Sequence, residues 1–271
     1  MNFYWTIPLF YLASTLLYWT HLWTQSPRPS KLGYYLIVIG ALAQTIILVK
    51  VFMMDKPVFT GIERSLFLFA WFIAIAFIAS DLKLKVSVLG TFVAPLIFLL
   101  TVPIIIIPHG IIEANPSIRN PWILLHVMIV FLGEAIFTVA FVAGFLYIFQ
   151  ERRLKSKRIG SFLMKLPSLT RLDRLNHLCL LIGFPILTVG LALGVLSAKQ
   201  IWGVFWKWDY KEVWALGTWF LFGVLMHGRL MFSWKGRRAA VGAILGFAVI
   251  IATMFVISYL TPGKYEVVVP N

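Results

Sequence analysis

Eight apolar runs of about 20 residues follow one another along this 271-residue chain, separated by short charged or proline-bearing segments. They fall at 3–24, 33–54, 62–80, 86–108, 121–149, 177–198, 213–232 and 240–260. A helix of about 20 residues crosses the hydrocarbon of a bilayer, and it satisfies its own backbone there. The pattern predicts an all-α, polytopic integral membrane protein with about eight transmembrane helices. With 61% hydrophobic and 13% charged residues, against about 25% charged in soluble domains, little remains for a separate soluble domain. The first run begins at Phe3 with no basic flank before it and no small-residue cleavage site after it. It reads as a retained helix, not a signal peptide.

The formal net charge is +14, and its placement matters more than its size. Alternate loops divide the 24 Lys and Arg residues sixteen to eight. The richer set includes Arg28, Lys83, Arg152, Arg153, Lys155, Arg171, Arg174, Lys235, Arg237 and Arg238; the poorer includes Lys50, Arg64, Lys199, Lys207 and Lys211. Basic loops stay on the cytoplasmic side. Both termini are therefore expected outside, and the hydrophilic segment 150–176 inside. That segment reads as a topology determinant resting on anionic lipid head groups; docking of a soluble partner is the alternative. Phe162 is its only aromatic residue, so it lacks the interleaved stacking groups of a nucleic-acid binder.

Between the sixth and seventh runs lies Trp202-Gly203-Val204-Phe205-Trp206-Lys207-Trp208-Asp209-Tyr210-Lys211-Glu212-Val213-Trp214, with Trp219 just beyond. Five of the eleven tryptophans fall here. An interfacial belt needs one or two per helix end. This excess suggests a surface that holds something large, flat and aromatic. Among the five histidines, His126 and His227 lie within spans, where polar groups are costly and are functional candidates. His227 follows Asp209 by eighteen residues, about 27 Å of helix, and so stands near the opposite face. Each reads either as a bond to a neighbouring helix or as an axial ligand for haem iron. His109 is a third, ambiguous candidate, while His21 and His177 sit at span ends. Glu134 is the one carboxylate deep in a span, about 80° around the helix from His126, and should face the bundle. Cys179, the single cysteine, excludes disulfides, thiolate clusters and a C-x-x-C-H attachment on this chain, and reads as a small core residue. Zinc-hydrolase, nucleophile-elbow and phosphate-loop motifs are absent from the sequence, so no independent hydrolase, transferase or redox enzyme is indicated.

The tryptophan stretch resembles the WWD signature of cytochrome c maturation membrane proteins, a family that includes CcsA, CcmC, CcmF and HemX-like proteins. Leu172-Asp173-Arg174-Leu175-Asn176, Gly183-Phe184-Pro185, Leu187-Thr188 and His227-Gly228-Arg229 extend the resemblance, nearest to CcsA and HemX. Within a single membrane domain, 1–271, it marks off an N-terminal four-helix part (1–120), a haem-handling core (121–260) and an outer tail (261–271). It implies haem b as cofactor, with Trp202, Trp206, Trp208, Asp209, Glu212 and Trp214 in a haem-holding outer loop. His126 becomes an outer and His227 an intramembrane iron ligand. It also implies the bacterial cytoplasmic membrane, a CcsB/ResB-like partner within a system II cytochrome c synthase complex, and apocytochrome c with CxxCH as client. The alternative within the family is a HemX-like regulator of tetrapyrrole synthesis that ligates no haem. Two departures stand out. The region Ser258-Tyr259-Leu260-Thr261-Pro262-Gly263-Lys264-Tyr265 lacks the family's second outer histidine, and Tyr210 replaces a proline.

Overall fold

The computed structural model describes residues 3–24, 26–53, 62–107, 120–157 and 166–259, with side chains from 4 to 253 within those segments. The described residues form helices and no strands. They are α1 (Thr6–Trp23), α2 (Arg28–Met53), α3 (Ile62–Leu84), α4 (Gly90–Thr101), α5 (Pro103–Ile106), α6 (Pro121–Lys155), α7 (Leu169–Trp202), α8 (Tyr210–Met231) and α9 (Arg237–Tyr259). Five stretches have the length and apolarity of a membrane span: α2, α3, Ser87–Ile106 (which joins α4 and α5), α6 and α7. The chain is an all-α polytopic membrane protein. With α4 and α5 taken together, the described residues form eight α-helical segments that match the eight apolar runs. The break between those two comes at Pro103, which has no N–H for the preceding helix.

Helix ends follow local chemistry. Asn120 caps α6 by accepting the Trp122 N–H at 2.9 Å, with Pro121 at the first helical position. Ser168 caps α7 through the Arg171 N–H. Both helices run further than the apolar pattern. α6 continues to Lys155, with Lys155 and Glu151 paired at 2.7 Å one turn apart, and α7 starts at Leu169. Much of the segment read as a hydrophilic loop at 150–176 is thus helix extended past the apolar span. Arg, Lys, Glu and Gln are good helix formers once they reach water.

Helices α6 to α9 form the unit that carries the candidate site. α6 and α7 run antiparallel, and Gly133 of α6 lies within 3.4 Å of the Leu187 and Gly183 backbone, judged from where a Cβ would sit. α8 and α9 close the unit. Phe137 stacks on Phe222 with ring centres 3.6 Å apart, Phe141 stacks on Phe247 at 4.1 Å, and Thr218 bonds Thr253 at 3.1 Å. The N-terminal helices pack on α6 through α3, where Phe69 meets Phe131 at 5.5 Å. Their own core holds Tyr11, which donates to Gln44, which in turn donates to the Phe67 carbonyl. Cys179 is buried in the main core, as expected.

Candidate functional site

The tryptophan loop is a built turn. Gly203 ends α7 in the left-handed conformation, φ 74°, and donates its N–H to the Lys199 carbonyl. Asp209 caps α8 by accepting the Glu212 N–H at 2.9 Å. Glu212 reaches back and accepts the N–H groups of Lys207 at 2.6 Å and Trp208 at 2.8 Å. This is a reciprocal cap, and it holds Trp208 at φ 59°, a strained state for a residue with a side chain that costs about 1–3 kcal/mol. The two carboxylates read as haem-holding thus each accept backbone N–H groups through one oxygen, Asp209 Oδ1 and Glu212 Oε2, and shape the loop.

The rings of the loop remain available. Trp202, Trp214 and Trp208 are exposed, the last to 72%, as are Phe205 and Tyr210. Trp206 packs edge-on to Trp208, ring centres 5.9 Å apart, and its buried indole N–H meets no acceptor. Lys207 places its ammonium 4.1 Å from the centre of the Trp202 ring, a cation–π contact.

His126 stands at the same end, near enough to Lys211 to feel its charge. Its Nδ1 lies 2.7 Å from the Gly190 carbonyl of α7. A carbonyl only accepts, so Nδ1 carries the proton and Nε2 keeps a free lone pair. The ring rests on α7 because Gly194 has no side chain: a Cβ there would lie 2.7 Å from His126 Cε1. The bond to a neighbouring helix exists, and it leaves the imidazole able to bind a metal, as outer-shell carbonyl partners of metal-binding histidines do.

His227 is at the far end of α8. The Gly190 partner of His126 and the His177 partner of Arg229 lie thirteen residues apart on α7, so the two histidines differ in depth by about 20 Å. His227 faces away from the other helices. It is exposed in a groove of about 370 Å³ on α8, lined by Trp219, Phe220, Gly223, Val224, Gly228, Phe232 and Trp234. Phe232 meets its ring edge-on at 5.7 Å.

Glu134 is buried to 7% exposure, facing the bundle as expected. His109 and the outer tail lie outside the described residues. His21 bonds the Ser26 carbonyl. His177 accepts from Arg229, whose guanidinium also grips Asp173 at 2.7 and 2.8 Å. That cluster was missed by reasoning on span polarity. Its signal was present, since Asp173 and Arg229 both fall inside the stretches that carry the family resemblance.

The fold and site describe a polytopic helical membrane protein with a tryptophan-rich turn at one end and a histidine near each end. A sequence model described as cytochrome C assembly protein matches residues 59–263. The chain belongs to the cytochrome c assembly protein family. Its relatives include the cytochrome c biogenesis protein CcsA of Guillardia theta, 26% identical across 94% of this chain and 92% of that protein. CcsA of Porphyra purpurea is 25% identical across 94% and 93%. CcsA of Prochlorococcus marinus strain MIT 9312 is 29% identical across 76% and 74%.

Proposed function

We propose that this chain handles haem b in c-type cytochrome biogenesis, holding it beneath the tryptophan loop at the outer membrane face for attachment to apocytochrome c. The observation that carries this reading is His126. Its Nδ1 is fixed by Gly190, which leaves Nε2 free to ligate iron at the end of the bundle where exposed indole rings gather. The donor set fits the group: a neutral imidazole for iron, flat rings for a porphyrin face, and Lys207 and Lys211 for propionates.

The chain's own residues bind and orient. Asp209 and Glu212 hold the turn, Trp202, Trp208 and Trp214 offer stacking faces, and His126 ligates. When bound, haem supplies the vinyl carbons at which thioethers form with the CxxCH thiols of the client. His227, in its apolar groove about 20 Å deeper, serves the inner end, where haem enters from the cytoplasmic side. The sixteen-to-eight division of basic residues supports an outward-facing loop with anionic lipid against the basic end, and the membrane we infer is the bacterial cytoplasmic one. The family and its CcsA relatives support a CcsB/ResB-like membrane partner within a cytochrome c synthase complex.

A HemX-like regulatory role is the second reading. The absence of histidine from Ser258 to Tyr265 favours it, since the family's usual second outer ligand is missing there. Visible spectra of the detergent-purified protein, oxidised and dithionite-reduced, separate the two. A Soret band with reduced α and β bands, weakened or shifted by His126→Ala, supports the outer haem site. A wild type that stays haem-free after haem supplementation during growth sinks haem handling and leaves the regulatory role.

A further inference from the structure

Arg229 is an unusual side chain to find 8% exposed in a membrane protein. All five of its N–H groups have acceptors. Nε donates to His177 Nδ1 at 3.3 Å. One terminal nitrogen donates to Asp173 Oδ1 at 2.7 Å and to the Trp234 carbonyl at 3.0 Å. The other donates to Asp173 Oδ2 at 2.8 Å and to the Asp173 carbonyl at 3.2 Å. Asp173 also accepts the Gly236 N–H at 2.8 Å. One guanidinium thus joins α7, α8 and the turn between α8 and α9.

That turn is sharp. Ser233 and Gly236 are left-handed, φ 51° and 62°, and the Trp234 N–H returns to the Gly228 carbonyl at 3.0 Å. The Trp234 ring then packs against Gly228, closer than any Cβ at that position would tolerate. The same ring, with Phe232, walls the groove that holds His227. The three residues His227-Gly228-Arg229 therefore divide the work. One faces the groove, one makes room for its wall, and one ties that wall to α7.

We propose that Asp173 and Arg229 are positioning residues for the His227 groove. Their ion pair fixes the α8–α9 turn so that Trp234 seats on Gly228 and closes one side of a haem site. This rests on the haem reading above, but it assigns these residues to the inner site alone. A geometry of this kind depends on the fork of Arg, which Lys cannot reproduce: an ammonium has three donors and no plane.

The test is hemin titration of the full detergent-purified chain in two backgrounds. With His126→Ala, only the groove site remains. There Arg229→Lys weakens hemin binding about 10-fold or more and shifts the Soret band, the scale at which supporting-shell changes act on metal sites. Gly228→Ala leaves the Arg229 bonds to Asp173 and His177 in place, yet it weakens the same site by displacing Trp234. With His227→Ala, only the outer site remains, and Arg229→Lys leaves it within about 2-fold, as expected for distant sites. Unchanged groove binding in both variants overturns the proposal. Equal weakening of both sites also overturns it, because the cluster would then be general packing.

If the His126→Ala chain takes up no hemin, the groove is not a haem site, whatever the outer site does, and the haem-free protein decides the positioning claim. Spin labels at Lys31→Cys and Lys235→Cys, in a Cys179→Ala background, give a narrow distance distribution. Arg229→Lys broadens it if the cluster holds the turn. An unchanged distribution refutes the claim.

Discussion

Gly194 sets the position of His126 more directly than any residue that bonds it. A methyl group there would stand 2.7 Å from Cε1 and 2.9 Å from Nδ1, so Gly194→Ala must push the imidazole off α7 and break its bond to Gly190. The expected cost is about 1–3 kcal/mol of stability and, under the proposed haem reading, loss of the outer Soret intensity with the groove's contribution retained. Spectra of Gly194→Ala beside His227→Ala check this; an intact outer band counts against the placement of His126. Asp209 offers a sharper contrast. If its role is the cap, Asp209→Asn keeps haem binding, since Asn caps as well as Asp, while Asp209→Ala loses about 1 kcal/mol and loosens the loop. If the carboxylate instead meets haem or its client, Asn and Ala fail alike. The cap was legible in the sequence as Asp209-x-x-Glu212 ahead of an apolar run. The density of tryptophan around it drew the reading toward ligand contact. His126 was legible because an imidazole inside a span is costly. Gly194 was not, because its function depends on which helix lies across from it.

Helices were readable in kind and less so in extent. The apolar runs located every α-helical segment of the described residues, because only helices satisfy their backbone in lipid, yet α6 and α7 extend beyond their runs where water takes over. The pattern also said nothing of which faces meet. Contact between α6 and α9 is set at Gly144, where a Cβ would lie 2.8 Å from the Ala240 carbonyl oxygen. Above it, Phe141 stacks on Phe247 and Phe137 on Phe222. Gly144→Leu must separate α6 from α9 and unstack Phe141 from Phe247, whereas the Phe137–Phe222 pair joins α6 to α8. A loss of about 1–3 kcal/mol follows from overpacking, and more if the stacks open. The thermal aggregation midpoint in detergent should fall well below that of the wild type, whereas Gly217→Leu, whose Cβ would meet nothing within 4 Å, should leave it near the wild-type value. Equal midpoints for the two variants would show that close approach of α6 and α9 does not stabilise the unit.

At the scale of the whole molecule, the two ends differ in chemistry, and that difference carries the orientation. One end has the tryptophan loop and His126. The other has the basic extensions of α6 and α7, the Asp173–Arg229 cluster and the Lys235-Gly236-Arg237-Arg238 turn. Sixteen basic residues against eight is a strong bias under the rule that orients helical membrane proteins. Fusion of alkaline phosphatase within the loop at 203–209 should therefore give an active, exported enzyme. A green fluorescent protein inserted after Lys157 should fluoresce, because the charge bias predicts a cytoplasmic basic end. The converse pattern would put His126 and the indole platform inside and the basic helix ends outside. Haem held under the loop would then face the cytoplasm, and presentation to an exported client would be untenable, whatever the spectra showed. Removing charge tests the cause as well as the outcome. Replacing Lys235, Arg237 and Arg238 together with Gln lowers the ratio to thirteen against eight. The fusion pattern should survive, because the extensions of α6 and α7 still hold the larger share of basic residues. A reversal on losing only these three would mean that the short α8–α9 turn, not the summed bias, orients the bundle.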